Sequence, residues 1–220
     1  FFESIFGAGG NAQRRYSRED FSSGKSQRGF RMRGEDIHHK LSLFLEEAHN
    51  GGQRRVTLRI PERDEYGVVT HREKTLNIKI PAGVTQGQQI RIAGQGAPGI
   101  GGAEPGDLFL EIELAPHPHF TVDGRHIILN LPVASWEAAL GTSVAVPTLS
   151  GTVKLKIPAG SNSGDKLRIK GKGLAGNPAG DQIVVLKIVV PKTHSDAALA
   201  LYKQLAEQEA AFDPRAELGD

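Results

Sequence analysis

Cysteine is absent from the 220 residues, so neither a disulfide nor a thiolate-held zinc can brace this chain. No apolar run approaches the roughly 18–20 residues needed to cross a bilayer, and no membrane partner is expected. No signal peptide is visible. The chain opens on Phe1 without a methionine, and further sequence is expected upstream. A one-sided charge is missing too: 27 Lys and Arg stand against 25 Asp and Glu, a net +2. No single field covers the molecule, although local charge can still matter.

The usual carriers of catalysis are also missing. Gly94-Gln95-Gly96-Ala97-Pro98-Gly99 and Gly171-Lys172-Gly173-Leu174-Ala175-Gly176 both satisfy GxGxxG. A dinucleotide fingerprint must open a helix, whereas Pro98 and Pro178 lie in these loops and strands follow them. Neither loop has the Gly-Lys-Ser/Thr ending of a P-loop. The glycines read as turn residues with positive φ. His38-His39 and His117-Pro118-His119 are the only His clusters, and neither has a further ligand at zinc spacing. Asp107 and Asp181 hold equivalent places in a repeat, which points to structure, with an Asx-turn as the expected role. No catalytic residue, metal site or cofactor is expected, and an enzyme is the least supported class.

What the chain does have is a duplication. Ile80-Pro81-Ala82-Gly83 returns as Ile157-Pro158-Ala159-Gly160. Upstream, Leu76, Ile78 and Ile80 align with Val153, Leu155 and Ile157. Downstream, Gly87, Ile90, Ile92, Gly94 and Gly96 align with Gly164, Leu167, Ile169, Gly171 and Gly173. Two copies of a long unit indicate a duplicated domain rather than a solenoid.

Alternating apolar residues predict strands in each copy. In the first they lie around Leu41–Leu45, Val56–Ile60, Lys74–Ile80, Gln89–Ala93 and Leu108–Leu114. Glu46–Asn50 reads as a helical turn, and Glu62–His71 as a polar turn around Gly67. In the second copy the strands are His126–Leu131, Val144–Val146, Gly151–Ile157, Lys166–Lys170 and Ile183–Val190. Ser135 is expected to cap a short helix over Trp136–Leu140, stopped by Gly141. The fold class is all-β dominated: two tandem antiparallel β-sandwich domains with short helices and a C-terminal amphipathic helix.

The expected organisation is a Gly/Phe-containing and basic flexible linker over 1–33, domains over 34–118 and 119–192, a helix over 193–212, and a tail over 213–220. Thr193 with Asp196 fits a capping box for that helix. Ala198, Leu201, Tyr202, Leu205 and Phe212 follow helical spacing and give one apolar stripe. The stripe needs a partner surface, either its own domain or, the preferred reading, its twin in a homodimer.

Two surfaces remain for function. The linker carries Arg14, Arg15, Arg18, Lys25, Arg28, Arg31 and Arg33 with Tyr16, Phe21 and Phe30 interleaved. Such an arm can follow a phosphate backbone and stack on bases, or serve only as a solvated linker. Arg54, Arg55 and Arg59 flank Val56, Leu58 and Ile60 on one predicted strand. An extended peptide can add to such a strand, whereas alternation by itself turns the apolar residues to the core.

Several segments together carry a family resemblance. They include Leu45-Glu46-Glu47-Ala48, Lys74 through Gly83, Ala115-Pro116-His117-Pro118, Trp136 through Gly141, Leu167 through Leu174, and Phe212-Asp213-Pro214-Arg215. Over Asp36–Arg215 the chain resembles the C-terminal region of DnaJ/Hsp40-type co-chaperones that lack zinc fingers, nearest to their bacterial DNA-binding branch. The resemblance implies two substrate-binding β-sandwiches, a dimerisation helix with Leu201, Tyr202, Leu205 and Phe212 in its contact, and a client groove in the first domain. Leu41, Val56 and Leu58 would line that groove for unfolded or extended polypeptides. Arg54 and Arg55 would form a basic site for the acidic tail of an Hsp70. DNA is a further implied partner, with the seven linker cations as candidates. The implied place is the bacterial cytoplasm, associated with the nucleoid. No His-Pro-Asp tripeptide is present, so the J-domain contact with Hsp70 lies outside this chain and the chain should not activate Hsp70 by itself. His39 stands where many relatives carry an apolar groove residue. The rival reading is a purely architectural nucleoid protein that binds DNA and no client.

Overall fold

The computed structural model describes residues 31–63, 69–192 and 195–216. Within them the chain is dominated by strands, as expected. The first unit runs β1 (Ile37–Leu43), α1 (Leu45–Asn50), β2 (Gly52–Arg63), β3 (Val69–Ile80), β4 (Gln89–Ile92) and β5 (Leu108–Leu114). The second runs β6 (Phe120–Asp123), β7 (His126–Ala134), α2 (Ser135–Leu140), β8 (Thr142–Thr148), β9 (Gly151–Ile157), β10 (Lys166–Ile169) and β11 (Gln182–Val189). A final helix, α3, spans Asp196–Gln208.

Each unit sets a hairpin over a larger sheet. In the first, β2–β3 faces the order β1-β5-β4; in the second, β8–β9 faces β10-β11-β7-β6. Alternation builds each core. Leu41 and Leu43 of β1, Leu108, Leu110 and Ile112 of β5, and Val56, Leu58, Ile78 and Ile80 of the hairpin form the first. Ile127, Leu129, Val146, Ile157, Val184 and Leu186 are central to the second. The sheets are mixed rather than purely antiparallel. β1 pairs with β5 in parallel, and β7 with β11 likewise. The intervening hairpin crosses to the opposite layer, which brings first and last strands back side by side in one direction.

Three local expectations are corrected. The segment expected as a polar turn over Glu62–His71 is strand at both ends, because β2 and β3 pair as far as Arg63 and Val69, while its expected centre at Gly67 lies outside the described residues. The short helix of the second unit starts at Ser135 itself, with Ala134 as N-cap. There the Glu137 carboxylate accepts the Ala134 backbone N–H at 2.8 Å, so the third helical residue caps instead of a serine. For α3, Ser195 is the cap, accepting the Ala198 N–H at 3.2 Å, and Thr193 lies outside the described residues.

The two units are locked together through α1. Leu45 is only 2 % exposed yet packs into the second core, not the first. His117 Nδ1 accepts the N–H groups of His119 and Phe120 at 3.1 and 3.0 Å, and its Nε2 contacts Glu46 of α1 at 3.1 Å. His49 meets Ser150 at 3.3 Å. Gly83 takes φ +76 at this junction, and a Cβ there would lie 1.8 Å from the Ala175 carbonyl oxygen. The first Ile-Pro-Ala-Gly turn thus needs glycine for close approach, whereas Gly160 has open space beside it.

Candidate functional site

The duplication lets each strand edge be compared with its counterpart. In the first unit β1 is an outer strand of its sheet, bonded on one side to β5, and β2 is bonded only to β3. Their other edges run past each other. Arg54 of β2 donates to the Ser42 carbonyl of β1 at 3.0 Å. Further along, His39 lines one open depression of about 830 Å³ together with Thr57, Arg59, His71 and Glu73. The two pairings, Ser42 with Arg54 and His39 with Thr57, describe antiparallel edges, but no β-ladder joins them. Each strand therefore has one edge whose backbone N–H and C=O groups no other strand pairs.

The second unit closes the same edges. β6 pairs along β7 from His126 to Leu129. On β8, Pro147 stands in register with Thr152, the place that Thr57 takes opposite Thr75 in the first unit. Proline has no N–H to offer an added strand. The Pro147 carbonyl is already bound at 2.9 Å by the side chain of Gln182, which is fully buried where the first unit has Leu108. The edge contrast was missed in the sequence, although aligning Val56-Thr57-Leu58 with Val146-Pro147-Thr148 would have shown the proline.

The expected site residues divide by position. Leu41, Val56 and Leu58 are 5 %, 8 % and 3 % exposed and fill the first core. A client side chain would reach them only by entering between β1 and β2. Arg54 and Arg55 are not brought together, because successive strand residues face opposite sides. Arg54 is engaged: its guanidinium holds the Glu47 carboxylate at 2.7 Å as well as the Ser42 carbonyl. Glu47 also accepts the Phe44 N–H at 2.9 Å, so one carboxylate caps α1 and anchors β2. Arg55 is exposed on the outer face.

Of the seven linker cations, Arg14, Arg15, Arg18, Lys25 and Arg28 lie outside the described residues. Arg31 is exposed. Arg33 forms ion pairs with Asp107 at 3.0 Å and Asp36 at 3.5 Å, so part of its charge is used within the chain. In α3 no residue is buried; Leu201 and Leu205 are 66 % and 57 % exposed and Tyr202 is half-buried, while Phe212, 72 % exposed, lies beyond the helix, which ends at Gln208 and not at the expected 212. An apolar stripe of this kind is left uncovered by a single chain.

The glycine loops follow the turn reading. Gly94 and Gly171 take φ of 66° and 69°. Their N–H groups are bound by Asp107 and Asp181 at 2.8 and 2.7 Å. The two aspartates therefore clamp a turn from an adjoining strand instead of forming local Asx-turns. The Gly94 N–H bond first, and Arg91 at 2.6 Å next, hold the Asp107 carboxyl below the usual carboxylate range. A carboxylate on these N–H groups leaves no cradle for phosphate. Among the described residues no group of His, Asp and Glu is placed to hold a metal.

Residues 25–191 match the family model described as the DnaJ C terminal domain. The chain belongs to this family. A DnaJ C-terminal region thus accounts for both β units. A curved DNA-binding protein of Coxiella burnetii (strain RSA 493) is 52 % identical over 219 residues, covering 99 % of this chain and 66 % of the relative. One of Pseudomonas syringae pv. tomato is 48 % identical over 222 residues, covering 96 % and 70 %. One of Serratia proteamaculans is 47 % identical over 191 residues, covering 86 % and 62 %. The chain therefore spans about two thirds of these relatives' length. As a DnaJ-type C-terminal region, it groups with a co-chaperone family rather than with an enzyme family. None of its described helices is long and apolar enough to cross a membrane.

Proposed function

We propose that this chain is the client-binding and DNA-binding portion of a dimeric DnaJ-like co-chaperone of the curved-DNA-binding type. The observation that carries the client half is the contrast between units. One scaffold, built twice, is closed by β6 and Pro147 in the second copy and left with two open edges in the first. An extended polypeptide adds to β2 or β1 by backbone hydrogen bonds, which require no particular client sequence. Its apolar side chains turn inward toward Leu41, Val56 and Leu58. His39 makes the mouth more polar than an apolar residue would. The Hsp70 tail docks on Arg55, with Arg54 contributing only if it exchanges Glu47 for the incoming carboxylate.

DNA is held by the basic linker, a reading supported by its seven cations and by the names of the relatives. α3 joins two copies through Leu201, Tyr202, Leu205 and Phe212, and two client sites then act with avidity. The protein works in the bacterial cytoplasm at the nucleoid, and Hsp70 activation belongs to a J-domain outside this chain.

Client capture is tested by fluorescence anisotropy with a labelled apolar peptide, competed by unfolded protein. Binding that survives closure of the β2 edge defeats the assignment to that edge.

A further inference from the structure

Counted back without a gap from Phe44 and Ala134, the N-caps of α1 and α2, the two units carry equivalent segments ahead of β1 and β7. Phe30-Arg31-Met32-Arg33-Gly34 stands where the second unit has Phe120-Thr121-Val122-Asp123-Gly124. The second segment is β6, which closes the outer edge of β7. The first takes another course. Met32 pairs with Ile100 in the glycine loop, its N–H donating to the Ile100 carbonyl at 3.2 Å and its carbonyl accepting the Ile100 N–H at 2.9 Å. Phe30 lies outside the described residues.

The two paths differ from one glycine backwards. Glu35 and Arg125 hold their glycine loops alike: their carbonyls accept the Ala97 N–H at 3.0 Å and the Leu174 N–H at 2.9 Å. Asp36 and His126 are alike too, accepting the N–H of Asp107 at 2.7 Å and of Asp181 at 3.1 Å. Gly124 takes φ +59 and turns the chain back along β7. Gly34 stays outside the left-handed region and lies against the loop, where a Cβ would stand 1.9 Å from the Ala97 carbonyl oxygen. Glycine suits both courses, for close approach in one and for positive φ in the other.

The course through Ile100 covers little, since Met32 and Ile100 are both exposed. The empty edge also leaves side chains uncovered. Ile37 is half-buried and His39 exposed, whereas their equivalents Ile127 and Leu129 are buried. On β6, Phe120 stands opposite Leu129 and fills the second core. The same place in the first unit, beside His39, is an open depression. The Ile37 N–H is bound by the Asp107 carbonyl at 2.8 Å on the β5 side, so the N–H and C=O of His38 turn to the free edge.

We infer that Phe30–Arg33 is a closing strand for β1, which folds back about Gly34 in the manner of β6 and competes with the client for this edge. The register of β6 sets Phe30 opposite His39, Arg31 opposite His38, Met32 opposite Ile37 and Arg33 opposite Asp36. Arg33 and Asp36 already form an ion pair at 3.5 Å. The arrangement with Met32 on Ile100 is the open one. The competition, though not the closing strand itself, rests on the client reading above.

Cysteine pairs in the full chain test both courses, because the chain has no cysteine of its own. Met32→Cys with Ile37→Cys reports the closed arrangement, as a directly opposed pair without mutual hydrogen bonds, its Cα atoms about 4.5 Å apart. Met32→Cys with Ile100→Cys reports the open one, as a bonded pair about 5.5 Å apart. Both separations suit a disulfide. Mild oxidation should crosslink each pair within one chain, read by mass spectrometry. The closed crosslink should weaken binding of a labelled extended peptide by about tenfold or more, since the client loses two or more backbone hydrogen bonds. Reduction should restore it, and the open crosslink should bind like the parent. If the Met32 and Ile37 variant does not keep the parent's circular dichroism and melting curve, Phe30→Cys with His39→Cys takes its place. A folded chain that crosslinks only to position 100 overturns the inference. A closed crosslink that leaves peptide affinity unchanged overturns it as well. A parent chain that binds no peptide overturns the client reading and the competition with it, while the closed crosslink still decides the closing strand.

Discussion

Thr57→Pro isolates the open edge from everything else in the first unit. Thr57 pairs with Thr75 at the same register as Pro147 with Thr152, so the scaffold already accepts proline there once. The β8–β9 ladder forms without an N–H at that place, which means the Thr57 N–H points to the open side. The substitution removes that donor and leaves a client carbonyl unpaired. The net bond is worth about 1 kcal/mol, and an orphaned partner costs about 1–3 kcal/mol. Client Kd should therefore rise by about 5- to 150-fold. The substitution also removes the bond between the Thr57 and Thr75 hydroxyls, 3.1 Å apart on the outer face. Such a cross-strand pair contributes about 0.2–1 kcal/mol to stability. Thr57→Val loses the hydroxyl and keeps the N–H, so it should bind like the parent. Anisotropy with a labelled extended peptide reads the affinity, and urea unfolding checks the fold. A folded Thr57→Pro variant that binds as tightly as Thr57→Val refutes the reasoning.

Other expectations follow from the same geometry. Leu201→Asp or Leu205→Asp should convert a dimer to monomer in sedimentation while leaving the melting of the β units unchanged, since both side chains are exposed. Leu58→Ala should cost about 2–5 kcal/mol in urea unfolding, as a core truncation does, because the side chain is buried. Gly160→Ala should cost about 1–2 kcal/mol for the positive φ alone. Gly83→Ala should cost more than that, and it should loosen the junction, because its Cβ meets the Ala175 carbonyl. The pH dependence has a definite sign. The folded Asp107 carboxyl titrates below its ordinary value of 3.8, so its contribution is complete above that value and is lost as pH falls through the lower folded value. Asp107→Asn should therefore flatten the acid limb of a melting-temperature profile below about pH 4.

The sequence made the scaffold legible because alternation and the Ile-Pro-Ala-Gly repeat are both local signals. Strands such as Leu108–Leu114 and Gly151–Ile157 fall where their periodicity puts them. β6 was not legible: Phe-Thr-Val-Asp is too short for a periodic signal, and it forms by pairing with β7. The β2–β3 extension was hidden by its charges, since a hairpin that projects from a core can carry polar residues on both faces. Burial of Leu45 in the neighbouring unit and the dual use of Glu47 depend on contacts between distant residues, which no window of sequence contains. For the candidate site, composition drew attention to Arg54 and Arg55, but pleating separates them and Glu47 engages one. On the hairpin edge, what distinguishes the first unit from the second includes a threonine-to-proline difference, plain only once the two copies are laid in register.

Amide hydrogen exchange with and without bound client tests the central claim most directly. The account predicts new protection along the open edges of β2 and β1, Gln53–Arg59 and Ile37–Leu43, with no change along β8 or β6. Protection confined to the second unit, or to neither edge of the first, would contradict it.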